Sequence, residues 1–303
     1  MRKLRDTRTV APTDLPSLPV LDLAQFHGSA TERAEFVEQL REAAHGVGFF
    51  YVVGHGVPST VIEDVFAAAH EFFALPLEDR QAIDNLNSPQ FRGYTRVGYE
   101  HTNGRPDRRD QLDVGVERPA LDLGPDDPDF LRLIGPNQWP VALPSLQPRV
   151  LAFQDEAARV SKELLSAFAV ALGQDETYFE QWFDAESHNH LKVIRYPGRG
   201  PVPEDQGVGA HKDYGFLALL AQDDLGGLQV QALDGSWIDA TPVPGAFVFN
   251  IGEMLEVMTD GYLRATVHRV VSPPGDVDRY SVPFFLGPRL DAVVPRMTLP
   301  PDL

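Results

Sequence analysis

The stretch Ala210-His211-Lys212-Asp213-Tyr214-Gly215-Phe216-Leu217 places a histidine and an aspartate two positions apart, at the predicted start of a β-strand. Residues i and i+2 of a strand point to the same side, so His211 and Asp213 can offer a nitrogen and an oxygen to one ion. A second histidine, His268, lies in a later predicted strand that can run beside the first. Two histidines and one carboxylate suit Fe(II) with open coordination positions, and they also suit Mn, Co or Zn.

A candidate receptor for a carboxylate follows this histidine. Arg279 and Ser281 share one face of a predicted strand, and a guanidinium fork beside a hydroxyl is a good partner for a carboxylate. A co-substrate that chelates a metal at one end and carries a carboxylate at the other end would span the two groups, and 2-oxoglutarate has that shape. A surface ion pair of Arg279 with Asp276 or Asp278 explains the same residue equally well.

Composition limits the classes of partner and metal site. The chain has 303 residues, a formal net charge of −18 and 43% hydrophobic residues, which is typical of a globular protein. The negative charge argues against nucleic acid and anionic membranes as partners. Because there is no cysteine, a metal must bind His, Asp or Glu. The charged segment Met1-Arg2-Lys3-Leu4-Arg5-Asp6 and the lack of a long apolar run predict no signal peptide and no membrane span, so the cytoplasm is the expected compartment.

Hydrophobic spacing predicts a first half dominated by helices. Short strands are expected at Leu18–Leu23 and Gly48–Val53. The segment 88–128 has weak periodicity and predicts long loops with one short strand at Gln111–Val114. Helices are predicted over 31–44, from Pro58 onward, over 146–172 and over 176–183.

From His190 onward the pattern changes to short apolar runs between Gly and Pro turns, which is typical of an antiparallel barrel or jelly roll. The predicted strands are 191–196, 216–221, 228–232, 237–240, 246–251, 265–271 and 280–286. The fold class expected is α+β. We expect one unit over 1–303, with a helical N-terminal part over 1–185 and a jelly-roll catalytic core over 186–295.

Motifs in the same order along nearly the whole chain resemble the isopenicillin N synthase-like family of Fe(II)/2-oxoglutarate-dependent oxygenases. The resembling segments in the N-terminal half are 18–23, Gly48-Phe49-Phe50-Tyr51-Val52-Val53-Gly54-His55-Gly56-Val57-Pro58, Phe91-Arg92-Gly93-Tyr94 and Asp113. Those in the C-terminal half are Arg195-Tyr196-Pro197, 210–217, 222–230, 242–246, 250–253, His268-Arg269-Val270 and Arg279-Tyr280-Ser281.

The resemblance implies a distorted double-stranded β-helix (jelly roll) flanked by N-terminal and central helices. It implies that Fe(II) is held by the two histidines and the aspartate described above, and that O2 is consumed. Arg279, Ser281 and Tyr196 would bind the distal carboxylate of 2-oxoglutarate. The segment that commonly roofs the pocket in this family supplies the candidate substrate contacts Phe91, Arg92, Tyr94, Tyr99, Glu100 and Thr102.

The chain departs from the family pattern at two places. Ile194 stands where the family often has an asparagine that contacts the co-substrate. The chain also ends at Leu303, soon after Pro300-Pro301, where the family usually continues into a helix that closes the pocket. We therefore expect one polar contact to be absent and the closing helix to be absent or truncated.

The expected function is hydroxylation, desaturation or cyclisation of a small molecule, with release of succinate and CO2. The Ala-, Arg-, Asp- and Pro-rich, cysteine-free composition suggests a bacterial protein of specialised metabolism, acting as a monomer or weak homodimer. One alternative is an iron oxidase of the same fold that needs no 2-oxoglutarate. Another is a catalytically silent binding protein. Oxygen consumption with and without 2-oxoglutarate separates the first two, and an anaerobic metal-to-ligand absorption band separates the third.

Overall fold

The computed structural model describes residues 17–200, 206–301 and 303, so the prediction for Met1–Asp6 lies outside the described residues. The described strands are β1 Val20–Asp22, β2 Phe49–Val53, β3 Gly93–Thr95, β4 His101–Thr102, β5 Arg105–Pro106, β6 Asp110–Gly115, β7 His190–Tyr196, β8 Gln206–His211, β9 Leu217–Gln222, β10 Leu228–Gln231, β11 Trp237–Asp239, β12 Phe247–Ile251, β13 His268–Val271 and β14 Arg279–Leu286. The described α-helices are α1 Ala30–Gly46, α2 Ser59–Ala74, α3 Leu77–Gln81, α4 Leu146–Ala171 and α5 Glu253–Met258, and 3-10 turns cover Leu23–His27, Asn85–Asn87 and Asp129–Leu133.

Two sheets form the centre of the molecule. The larger sheet has the order β1-β2-β12-β9-β14-β7-β6-β3, and the smaller has the order β11-β10-β13-β8. Apolar side chains of both sheets, including Ile194 from the larger and Val230 and Val270 from the smaller, pack into one cluster. The short hairpin β4-β5 forms a separate two-stranded sheet that contacts β8 of the smaller sheet. The predicted α+β jelly roll is confirmed, and strands of the N-terminal half belong to the larger sheet.

Helices cover the outer face of the larger sheet. The apolar stripe of α4, with Val150, Phe153, Val160, Leu164 and Phe168, is fully buried and packs with α1, α2 and the sheet. Burying a side chain of this size stabilises the fold by about 1.5–3 kcal/mol, so α4 holds the N-terminal helices to the sheet. No described helix, α4 with its 26 residues included, is both long enough and apolar enough to cross a bilayer.

The structure corrects several predicted elements. The segment 88–128 contains four strands, not one. The predicted helix over 176–183 is wrong, because this stretch forms successive turns. Its aromatic residues have helical spacing, but Phe179 and Phe183 are held by edge contacts to Phe216. The strand β8 and the helices α3 and α5 were not predicted either. β8 reads Gln-Gly-Val-Gly-Ala-His and lacks the alternation that marks a strand.

Candidate metal centre

The smaller sheet brings the three predicted metal ligands together. β8 ends at His211, β13 begins at His268, and the antiparallel register pairs these two residues. Asp213 Oδ1 lies 3.6 Å from His211 Nε2, and Asp213 Oδ2 lies 3.8 Å from His268 Nε2. One ligand atom from each of the three lies within 4.8 Å of the others. His211 is therefore the last residue of a strand, whereas the segment from Ala210 to Tyr214 was predicted to begin one, and Asp213 reaches the site from the following loop.

The hydrogen bonds of the triad orient its ligand atoms. The Nδ1 atoms of His211 and His268 lie 2.8 and 3.1 Å from the carbonyls of Gly209 and Thr266. Since a carbonyl only accepts, each Nδ1–H donates and each Nε2 lone pair is left toward Asp213. A second hydrogen bond of this kind fixes the tautomer of metal-ligating histidines. Two imidazole nitrogens and one carboxylate, presented on one side, fit Fe(II).

The charge of the aspartate is maintained although it is buried. Burial raises the pKa of Asp213, but the histidines and the amide of Asn250 outweigh this and lower the pKa to about 2. Burial lowers the pKa of His268, whereas for His211 the hydrogen bond and the charge of Asp213 outweigh burial and raise the pKa. The carboxylate is thus ionised, which is the state in which it can bind a divalent cation.

Helix α5, which was not predicted, joins the two segments that carry the ligands. The N–H of Glu253 donates to the carbonyl of Asp213 at 2.8 Å. The carboxylate of Glu256 accepts from Lys212 Nζ at 2.9 Å and from the N–H of Ala265 at 3.0 Å. The bonds to Asp213 and from Lys212 hold the first segment, and the bond from Ala265 holds the chain just before His268. Helix α5 therefore fixes the distance between the two segments.

Arg279 and Ser281 form a buried polar site. Both residues are 0% exposed. The guanidinium donates from Nε to the carbonyl of Leu225 at 3.3 Å and from Nη2 to Gln222 Oε1 at 3.2 Å, and it lies 5.0 Å from the ring centroid of Tyr196. Among the described residues, Arg279 Nη1 and Ser281 Oγ have no partner. Two orphaned buried donors side by side fit a ligand carboxylate.

The alternative of a surface ion pair for Arg279 is excluded by this geometry. Asp278 lies 3.6 Å from Arg195 instead, and its Oδ1 accepts from the N–H of Gly198. No described carboxylate lies within ion-pair distance of Arg279, whose two hydrogen bonds go to neutral groups. A buried guanidinium without a carboxylate is costly unless a ligand supplies one.

A cavity of about 580 Å³ between the sheets contains the triad as well as Arg279, Ser281 and Tyr196. Of the predicted substrate contacts, Phe91, Arg92 and Glu100 line it. The other three predicted contacts, Tyr94, Tyr99 and Thr102, are not among the described residues that line the cavity. For these three the prediction of a substrate contact is corrected.

Each of these three residues is held elsewhere. Tyr94 lies in the core, 1% exposed, and its hydroxyl donates to Asp110. Thr102 donates to Asp107, and Tyr99 is 59% exposed beside the guanidinium of Arg96. The turn before the β4-β5 hairpin directs Tyr99 away from the cavity.

Several cavity residues had no place in the prediction. On β7 the side chains of His190 and Lys192 line the cavity on the same side of the strand as Ile194 and Tyr196. Phe285 from β14 also lines it. Every second residue of a strand points to the same side. Counting back from Tyr196 in steps of two could therefore have identified the cavity residues of β7 from the sequence.

Asn250 is expected to act on the metal through Asp213. Its Nδ2 donates to Asp213 Oδ2 at 2.8 Å. We expect Asn250→Ala to weaken Fe(II) affinity by about 10–100-fold, since outer hydrogen bonds to metal ligands have effects of this size. Anaerobic titration with Fe(II) measures it, with the exposed Asn87→Ala as the control. Equal affinities in the two variants would contradict the assignment.

Comparison with known families agrees with this geometry. Residues 18–142 match the family described as the non-haem dioxygenase in morphine synthesis N-terminal, and residues 188–288 match the 2OG-Fe(II) oxygenase superfamily. Together the two matches span both halves of the chain. The stretch between the two matches contains α4.

Relatives and solved structures of this superfamily align with nearly the whole chain. The 2-oxoglutarate-dependent dioxygenase frbJ of Dothideomycetidae sp. is 39% identical over 94% of this chain and 77% of its own. Homoarginine-6-hydroxylase 2-ODD-C23.1 of Arabidopsis thaliana is 36% identical over 93% and 88%. The crystal structure of Neurospora crassa T7H in complex with alpha-KG has a TM-score of 0.78 and 29% identity over 91% and 87% of the two chains. The chain belongs to the isopenicillin N synthase-like 2OG-Fe(II) oxygenase superfamily, and its cofactors are iron and 2-oxoglutarate.

Proposed function

We propose that this 2-oxoglutarate-dependent dioxygenase hydroxylates a C–H bond of a small molecule, with His211, Asp213 and His268 as the iron ligands. The observation that carries the proposal is that one cavity joins the triad to the orphaned donors of Arg279 and Ser281. Relatives named as hydroxylases support hydroxylation over desaturation or cyclisation.

Bound iron and 2-oxoglutarate supply an O2-dependent oxidation that releases succinate and CO2. The protein's own residues position the reactants. Arg279 and Ser281 would hold the distal carboxylate with charge-assisted hydrogen bonds, and the ring of Tyr196 packs beside the guanidinium. The apolar side chains of Leu228 and Val270 border the same cavity and exclude water from the site.

Ile194 stands where the family often has an asparagine, and its position in the structure indicates what this difference changes. It pairs with Ser281 across β7 and β14 and lines the cavity. The position that often supplies an amide in the family is therefore apolar here. Arg279 and Ser281 are then the polar groups that we propose as the main receptor for the co-substrate.

The reaction class has a direct test. Purified protein with Fe(II) should gain a metal-to-ligand absorption band when 2-oxoglutarate is added without oxygen. It should release succinate once O2 is admitted, and a substrate should accelerate this release. If neither the band nor succinate is observed, the proposed function fails.

Arg279→Met is expected to raise KM for 2-oxoglutarate by about 10–100-fold, because a hydrogen bond to a charged group contributes about 1.5–3 kcal/mol. Arg279→Lys keeps the charge but loses the two-pronged guanidinium. Its KM for 2-oxoglutarate should therefore lie between that of the unchanged protein and that of Arg279→Met. Succinate release at varied 2-oxoglutarate measures the effect, and the exposed Arg132→Met serves as the control. An unchanged KM in a folded Arg279→Met protein would contradict the role.

Other expectations are kept as proposals. We propose one catalytic unit over 1–303, because Phe91 and Arg92 of the N-terminal part and Lys192 of the core line the same cavity. A cytoplasmic location, a monomer or weak homodimer, a bacterial source and a role in specialised metabolism remain predictions. Size-exclusion chromatography with light scattering tests the oligomeric state.

A further inference from the structure

The cavity is more cationic than the protein around it. Its described lining includes two carboxylates, Asp213 and Glu100. It also includes six cationic side chains, and these are Arg92, Arg109, Lys192, Lys212, Arg279 and Arg289. The whole chain carries a formal net charge of −18. A cleft with one sign of charge concentrates ligands of the opposite sign. The cavity is therefore suited to binding anions.

Some of these cations are neutralised from behind. Lys212 lies 2.9 Å from Glu256, and Arg109 lies 3.4 Å from Asp107. Arg289 contacts two exposed aspartates at 3.1 and 3.2 Å. The guanidinium of Arg279 belongs to the proposed co-substrate site. Lys192 and Arg92 remain to be considered, and both line the cavity; Lys192 is itself paired with the buried Asp113.

Lys192 has spare donors that face the cavity. Asp113, which is 0% exposed, accepts from Lys192 Nζ at 2.5 Å, from His190 Nε2 at 2.8 Å and from Gln111 Nε2 at 2.8 Å. Burial alone would raise the pKa of Asp113, but Lys192 and His190 lower it below its ordinary value. The ammonium of Lys192 has three N–H donors, and Asp113 takes one of them.

Arg92 adds a positive charge that has no carboxylate within ion-pair distance among the described residues, although Asp113 and Glu117 lie close enough to favour its charged form. The residue is 2% exposed and donates to the carbonyls of Gln90 and Leu133 at 2.7 and 3.2 Å. Its Nε has no partner among the described residues. The guanidinium lies against Gly115, where a Cβ would stand 2.1 Å from Nη2, so this glycine makes room for it.

The loop that carries Arg92 is held in a fixed shape beside the cavity. Phe91 has φ of 59°, a left-handed conformation that is uncommon for a bulky residue. The hydroxyl of Ser88 accepts the N–H groups of Gln90 and Arg92. Strained backbone that is held by its surroundings clusters at ligand sites, and Phe91 lines the cavity at 48% exposure.

His188 lies with Lys192 and Arg92 in the cavity lining, and we call these three residues the wall. Burial together with the charge of Arg92 lowers the pKa of His188 to about 4. It is therefore neutral at physiological pH and can donate one ring N–H. The aromatic rings of Phe91, Tyr214 and Phe285 border the same region.

We propose that Lys192, Arg92 and His188 bind the carboxylate of the primary substrate, which makes the substrate class small organic acids with an apolar body. The inference rests on the proposed function, because it assigns this wall to the substrate of the same reaction. The carboxylate receives N–H donors of Lys192 and His188 within the positive field of Arg92, and the apolar body lies against the aromatic rings.

Calorimetry on the loaded protein tests the preference. Protein saturated with Mn(II) and 2-oxoglutarate keeps the co-substrate position filled without turnover. The probes are 4-phenylbutyrate, 4-phenylbutyramide and 4-phenylbutylamine, which differ only in the polar group. We expect the acid to bind at least about 10-fold more tightly than the amide or the amine, because charge-assisted hydrogen bonds are the stronger ones.

The variant that tests the wall is the pair Asp113→Asn with Lys192→Met, which removes both charges and leaves no buried ion unpaired. It should lose most of the acid preference, whereas Lys162→Met on α4 should keep it. Acid binding no tighter than that of the amide, or a preference that persists in a folded double variant, would overturn the proposal. Acid preference without succinate release would instead refute the proposed function and leave the subsite standing.

Discussion

Asp213→Ala is expected to abolish 2-oxoglutarate-dependent succinate release and to remove iron from the protein. Asp213 is the one anionic member of the triad, and its two oxygens face the two histidine Nε2 atoms. Loss of an outer hydrogen bond to a ligand costs about 10–100-fold, and loss of the ligand itself should exceed that. Iron content after anaerobic loading and succinate release with O2 are the two measurements.

Two further variants make this result specific. Asp213→Glu keeps a carboxylate on a longer side chain, so it should retain part of the iron binding. Asp224→Ala removes an exposed aspartate and should behave like the unchanged protein. If Asp213→Ala bound iron and released succinate at the original rate, the triad would not be the metal centre.

The candidate ligand set could be predicted from the sequence, but the way in which the backbone presents it could not. The His-x-Asp spacing and a later histidine identify the residue types, and pairing of their strands was expected. Parity along one strand was the wrong reason for the first two ligands, because β8 ends at His211. The loop position of Asp213 depends on the contact of its carbonyl with α5, a non-local interaction that no local pattern encodes.

Burial explains where predicted substrate contacts were misplaced. Arg92, Gly93 and Tyr94 are consecutive, yet Arg92 borders the cavity and Tyr94 lies in the core. Arg92 precedes β3 and follows Phe91, whose φ is 59°, so strand parity does not relate its side chain to that of Tyr94. Lys192 was missed for the converse reason, since a lysine in an apolar strand shows its role only through the buried Asp113 on the neighbouring strand.

The residue that holds Tyr94 is expected to have the largest effect on stability. Asp110 is 1% exposed and accepts from Arg80 at 2.9 Å, from Tyr94 at 2.9 Å and from Arg195 at 2.8 and 2.9 Å. Burial and the charge of Asp110 raise the pKa of Tyr94 above its ordinary value, so the phenol stays protonated and donates. One carboxylate thus joins α3, β3, β6 and β7.

We expect Asp110→Ala to lower the free energy of unfolding by about 3–5 kcal/mol, because removing one member of a buried ion pair leaves the other charges uncompensated. Here the guanidinium of Arg80 loses its carboxylate, and that of Arg195 keeps only Asp278 at 3.6 Å. Asp110→Asn keeps an acceptor oxygen of the same shape and should lose less. The exposed Asp129→Ala should change the free energy by no more than about 0.5 kcal/mol. Urea unfolding of the three variants measures the midpoints, and equal midpoints for Asp110→Ala and Asp129→Ala would show that this cluster does not stabilise the fold.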